Sequence, residues 1–207
     1  MGRTVLYETT TALLTAQAPA LRHFEIYSSV STFISDTLDI YIDSDNMPNL
    51  CVLRTRGIIP HMSKPLAGVT EMEYFITGLK ACDGWTKALT KLPNLRHLNL
   101  RFHPYPYGFR EDLRIALRSL EILELKDIRD EWLSNVRTFF ASAELPKLRL
   151  IFLFNIEHER ACRTTIELLV RIISRILCPA MLIAWPGTLC TRVKAPLLFL
   201  DTAIFIY

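Results

Sequence analysis

The sequence predicts an α/β fold, a short irregular solenoid with a parallel sheet on its concave side and helices outside. The first observation behind this is a template, L-x-x-L-x-L. It is clearest at Leu95-Arg96-His97-Leu98-Asn99-Leu100 and can be laid over the chain five more times, from Leu21, Leu50, Met72, Leu120 and Leu148. Its last two apolar positions stand two residues apart, as a strand requires when both side chains point the same way. The second is spacing: successive copies start 29, 22, 23, 25 and 28 residues apart, close to the interval of about 20 to 29 residues at which leucine-rich coils stack. The third is a proline two residues before the first template position in four copies, Pro19, Pro48, Pro93 and Pro146. Its fixed φ and missing N–H suit the start of a strand.

Taken in order, the copies begin with Leu21-Arg22-His23-Phe24-Glu25-Ile26 and Leu50-Cys51-Val52-Leu53-Arg54-Thr55. Met72-Glu73-Tyr74-Phe75-Ile76-Thr77 is the third and the Leu95 stretch the fourth, followed by Leu120-Glu121-Ile122-Leu123-Glu124-Leu125 and Leu148-Arg149-Leu150-Ile151-Phe152-Leu153. Between them, Ser29 to Ile42 carries Val30, Phe33, Ile34, Leu38 and Ile42 at near-helical spacing. Short helices are also expected at Asp83 to Leu89, Arg110 to Leu117 and Asp130 to Ala143, the last opening with acidic residues that suit the positive helix end. Gly57 to Ala67, with two prolines, reads as loop. One strand, turn and helix cannot bury an apolar face alone, so neighbouring coils must stack into a continuous core. Residues 1–156 are therefore assigned to the solenoid. Residues 157–207 are assigned to degenerate repeats and a C-terminal cap of the same domain, with a helix from Glu157 to Leu177 and a strand-like segment from Met181 to Trp185.

Composition narrows the function classes. Half of the 207 residues are hydrophobic, which allows a sizeable core. The 24 basic residues barely exceed the 21 acidic ones and are dispersed, so charge gives nucleic-acid binding no support. Five widely spaced cysteines without a C-x-x-C pair suit a reducing compartment. The most apolar run, Ile176 to Trp185, is about half the roughly 20 residues of a membrane-spanning helix. An intracellular protein with no membrane association is expected, cytoplasmic or nuclear.

Leu92-Pro93-Asn94-Leu95-Arg96-His97-Leu98-Asn99-Leu100 and Ala18-Pro19-Ala20-Leu21-Arg22-His23-Phe24-Glu25-Ile26 resemble the irregular leucine-rich repeat region of fungal-like F-box proteins. The resemblance spans roughly Ala18 to Ile156. It implies a region that selects protein substrates for a ubiquitin ligase, while an F-box ahead of it docks on the ligase adaptor. No complete F-box fits ahead of Leu21, so an adaptor is expected as partner only if an F-box is missing from this chain; the alternative is a stand-alone repeat scaffold. The Asn or Cys that regular repeats place after the template is replaced by Ser29, Ile58, Lys80, His103, Ile128 and Ile156.

If the template holds, residues between the inward positions face out from the concave sheet, the usual binding surface of a solenoid. The candidate partner-binding residues are Glu25, Arg54, Arg56, Tyr74, His97 and Asn99, continuing through Arg101, Glu124, Lys126, Phe152 and Phe154. Leu150, Phe152 and Phe154 make an apolar end that either anchors a partner or, the reading taken, lies under the C-terminal segment. His103-Pro104-Tyr105-Pro106-Tyr107-Gly108 is read as a loop packing across the repeat edge rather than as aromatic anchors. His158 and Cys162 share a helix face, but no second pair completes a metal site. Phosphate-cradling glycine motifs and a G-x-S-x-G elbow are missing from the sequence. No catalytic residue, cofactor or metal is expected, and the partner is a protein of unknown identity.

Overall fold

A computed structural model of the chain describes residues 17–27, 38–56, 58–76, 86–102, 114–127, 133–154, 182–185 and 204–206. In chain order the strands are β1 (His23–Tyr27), β2 (Leu38–Ile42), β3 (Val52–Arg56), β4 (Ile58–Met62), β5 (Glu71–Ile76) and β6 (His97–Phe102). They continue as β7 (Ile115–Ala116), β8 (Ile122–Lys126), β9 (Ala143–Glu144), β10 (Leu150–Phe154), β11 (Leu182–Trp185) and β12 (Ile204–Ile206). A helix, α1, spans Leu133–Ser142.

The six sequence copies supply β1, β3, β5, β6, β8 and β10, which lie side by side in that order, and β11 and β12 extend the same sheet. Every pairing in it is parallel, so each coil crosses from one strand to the next in a solenoid-like stack. Leu98 pairs with Leu123 and Leu100 with Leu125.

One turn is repeated ahead of β1, β3, β5, β6, β8 and β10. The N–H of Leu21, Leu50, Val69, Leu95, Leu120 and Leu148 donates to the carbonyl three residues earlier, at 3.0 to 3.2 Å. Pro19, Pro48, Pro93 and Pro146 occupy the second position of this four-residue turn, where a preset φ near −65° is what the geometry needs. The proline signal thus reports the turn before the strand. Asparagine at the third position ties coils together: Asn49 Nδ2 donates to Pro19 O at 2.7 Å and Asn94 Nδ2 to Ala67 O at 2.9 Å. These bonds supply, one position ahead of the template, some of the bridging that the missing Asn or Cys would have given.

The turns correct the third copy. Its turn is Leu66-Ala67-Gly68-Val69, so its template begins at Val69, three residues before Met72. The backbone agrees: Thr70 N donates to Cys51 O at 2.9 Å and Arg96 N to Thr70 O at 2.8 Å, continuing a ladder from Arg22 to Arg149. Met72 and Tyr74 then point inward, beside Leu53 and Thr55 on one strand and Leu98 and Leu100 on the other. At 19 residues the second coil is short, and an added Cβ on Gly68 would stand 2.8 Å from Leu50 O.

The core is a single leucine-dominated stack. Leu50, Leu53, Met72, Leu95, Leu98, Leu100, Leu120, Leu123, Leu125, Leu148 and Ile151 are all buried, together with turn-opening residues such as Met47, Leu66, Leu92, Leu117 and Leu145. Its outer side is more extended than expected. Leu38–Ile42, expected as the end of a helix, is a strand paired in parallel with Ile58–Met62, which was expected as loop. Both alternate with period two: Ile40, Ile42, Ile58 and Met62 are buried, while Tyr41 is exposed. Pro60 is tolerated because, among the described residues, β4 pairs in its sheet with β2 alone. Ile115–Ala116, expected as helix, pairs with Ala143–Glu144. Helix is found at residues 86–90 and in α1, whose Val136, Phe139 and Phe140 are buried.

The strand-like segment expected at Met181 to Trp185 is present as β11, edge to edge with β10. The expected helix from Glu157 to Leu177, the His158 and Cys162 pair and the His103 to Gly108 loop lie outside the described residues.

Candidate functional site

Because the six strands β1, β3, β5, β6, β8 and β10 share one direction and register, their outward side chains fall into three rows across one face of the sheet. The row at the strands' amino ends runs His23, Val52, Glu71, His97, Ile122, Leu150. The central row is Glu25, Arg54, Glu73, Asn99, Glu124, Phe152, and the row at the carboxyl ends is Tyr27, Arg56, Phe75, Arg101, Lys126, Phe154.

Nine of the eleven candidate residues stand on this face with accessible side chains, and two do not. Tyr74 is 1% exposed and belongs to the core, because the three-residue register error had turned its strand inside out. The corrected register puts Glu71, Glu73 and Phe75 on the outward face of this strand. Asn99 does lie in the central row but is only 7% exposed, a short side chain between the strands that carry Glu73 and Glu124. Its Oδ1 is buried without a hydrogen-bond partner. Tyr27, Glu71, Glu73, Phe75 and Asp127 were absent from the candidate set. The apolar turn L-A-G-V, matching L-P-N-L in the next coil, is the signal that sets the register of Glu71, Glu73 and Phe75.

The charged groups are linked in pairs, mostly from one row to the next. Arg54 donates from an Nη to Glu71 Oε1 at 3.0 Å and lies 3.8 Å from Glu73. Hydrogen bonding to Glu71 raises the Arg54 pKa above its ordinary value. His97 Nε2 stands 2.8 Å from Glu124 Oε1, and Lys126 Nζ 3.0 Å from Glu124 Oε2. The hydrogen bond to Glu124 raises the His97 pKa against the opposing effect of burial, and the bond from His97 lowers that of Glu124. Arg101 Nε pairs with Asp127. Asp127 has φ 58°, and its N–H reaches Phe154 O at 3.1 Å, so a left-handed residue closes β8.

The carboxyl-end row is built differently. Arg56 and Arg101 stand over the Phe75 ring, 4.9 and 5.4 Å from its centroid, and Lys126 lies 5.0 Å from that of Phe154. Phe154 in turn stacks on Phe152 at 6.0 Å. Arg56 is exposed and makes no ion pair among the described residues. Tyr27, at 59% exposure, ends the row, and an open groove runs from it past Arg54, Glu73 and Phe75 to Arg101.

Among the described residues no cluster of three His, Cys, Asp or Glu side chains is placed to hold a metal ion, and no helix is long and apolar enough to cross a membrane. Compared with protein-family models, curated proteins and solved structures, the chain matches none.

Proposed function

We propose that this chain is a protein-recognition module that reads its partner across the concave sheet. One observation carries the reading: parallel strands in common register present arginines, carboxylates and aromatic rings in line, while buried residues such as Leu53, Leu98 and Leu123 hold the strands from behind. Surface and core alternate along each strand, so the outward residues can be shaped for a partner without disturbing the packing. Among the described residues most of the ionisable groups are taken up in ion pairs spread across the face, an arrangement that favours binding over catalysis. The recurring turn and inward leucines support taking the coils as irregular leucine-rich repeats.

On the resemblance of Leu92 to Leu100 and Ala18 to Ile26 to F-box proteins, the partner is a substrate of a ubiquitin ligase; without a ligase adaptor the module is a stand-alone scaffold. Affinity capture with the full chain and with a Glu25→Lys, Arg56→Glu variant tests both levels. Specific partners lost in the variant are expected. Recovery of a cullin-type ligase adaptor among them selects the ubiquitin role, and its consistent absence selects the scaffold. Partners bound equally well by the variant would contradict recognition by this face.

A further inference from the structure

Most charged groups of the outward face are already engaged. Arg54 holds Glu71, Glu124 holds both His97 and Lys126, and Arg101 holds Asp127. Among the described residues three carboxylate or guanidinium groups of these rows are left without a hydrogen-bonded partner. Glu25 and Arg56 are exposed and make no ion pair there. Glu73 has only the approach of Arg54 Nε at 3.8 Å, too long for a hydrogen bond, and that Nε has no other partner.

The register sets these three groups at the corners of a triangle. Glu25 on β1 and Glu73 on β5 lie in the central row on either side of β3, and Arg56 lies on β3 itself, two residues farther along, in the carboxyl-end row. With strands about 4.8 Å apart and a rise of about 3.3 Å per residue, the two glutamate positions stand roughly 9.6 Å apart and the arginine position roughly 6.6 Å to one side of their line. The open groove past Tyr27 is lined from both rows, by Arg54 and Glu73 on one side and Arg56, Phe75 and Arg101 on the other.

We infer that the ligand of this triangle is an extended segment of a partner protein in which Lys or Arg alternates with Asp or Glu; the assignment rests on the recognition reading above. Laid across the strands along the groove, such a segment sends successive side chains to opposite sides. Two basic residues then reach Glu25 and Glu73, and the acidic residue between them reaches Arg56. Residues i and i+2 of the segment are about 6.6 Å apart, and the flexible four-carbon stems of Lys cover the difference from the glutamate spacing. Arg56 stands over the Phe75 ring, 4.9 Å from its centroid, and a guanidinium stacked in this way keeps its planar edge of N–H donors for two-pronged bonding to a carboxylate.

A ligand of one sign is opposed on this face. An acidic peptide or a nucleic-acid backbone that reaches Arg56 also meets Glu25 and Glu73, and a purely basic peptide that reaches the two glutamates meets Arg56. Alternation puts each charge opposite its complement and avoids the like-charge contacts that penalise the other arrangements. It also leaves the pairs of Arg54 with Glu71 and of Arg101 with Asp127 unbroken.

Fluorescence anisotropy on the full chain tests the assignment with labelled, end-capped heptapeptides. The first alternates Lys and Glu, beginning and ending with Lys; the second has Gln for Glu, the third Gln for Lys, and the fourth rearranges the first into a block of Lys followed by a block of Glu. A ten-residue oligothymidylate is the fifth probe. The alternating peptide is expected to bind about tenfold or more tighter than the rest and to weaken as salt rises. Arg56→Glu should reverse the order of the first two, so that the Lys and Gln peptide binds better, while Lys64→Gln, outside these rows, should leave the order unchanged. Matching circular-dichroism melts would show that the variants are folded. Equal or tighter binding of any other probe, or an order unmoved by Arg56→Glu, would overturn the proposal. Selection from a random-peptide display library separates this failure from that of the recognition reading. Selected peptides without alternating charge that are released by Glu25→Lys would refute only the alternating ligand, and failure to select any peptide would count against both.

Discussion

Between β6 and β8, the imidazole of His97 and the carboxylate of Glu124 form a partly buried ion pair whose energetics depend on pH. The His97 pKa is raised above 6.5, so its contribution to stability is full below that value and is lost as pH rises through the higher folded value. The Glu124 pKa is lowered below 4.5, so its contribution is present above that value and is lost as pH falls through the folded one. Between them lies a window in which both groups are charged. His97→Gln is expected to cost about 1 kcal/mol near pH 5.5 and less by pH 8, which urea denaturation at the two pH values would measure. Gly68 is a second local constraint, one of space and not of φ. With Leu50 O at 2.8 Å from an added Cβ, Gly68→Ala must push two coils apart. A loss of about 1 to 3 kcal/mol is expected from the same measurement.

At the scale of the strand, one register decides which side chains are core and which are surface. In β5 the distinction falls between adjacent rings: Tyr74 is packed inside and Phe75 lies on the outward face under two arginines. Tyr74→Lys should therefore abolish cooperative folding, because an unpaired ammonium would be buried. Phe75→Lys should leave a folded protein, losing only the ring contacts, on the order of 1 kcal/mol. Thermal melts of the two variants make the comparison. Five copies were legible in the sequence because leucine, isoleucine or phenylalanine marks all their inward positions but Thr55. The third was not, since Met72, Tyr74 and Phe75 are all apolar and period-two alternation alone cannot choose between phases. The outer elements were missed for a related reason: in Leu38 to Ile42, five residues satisfy a helical spacing at both ends and a strand alternation throughout, and only pairing with β4 resolves them. The same slip carried Tyr74 into the candidate site and left Phe75, Glu71 and Glu73 out of it.

Across the whole molecule the coils behave as a stack in which each strand touches its neighbours, so stability is shared between adjacent coils. Leu98 lies in β6 at the middle of the described coils and is wholly buried. Leu98→Ala should cost about 2 to 5 kcal/mol, read as a lower denaturant midpoint. The function proposed depends on this stacking, because the rows of outward side chains exist only where strands from six coils share one register. The most direct test is the set of NMR cross-strand contacts made by the two rings of β5. The expected result is that Phe75 ring protons show contacts to the side chains of Arg56 and Arg101, while Tyr74 ring protons contact the inward-facing Thr55 and Leu100. Tyr74 found beside the arginines, with Phe75 among the leucines, would contradict the register and with it the recognition row.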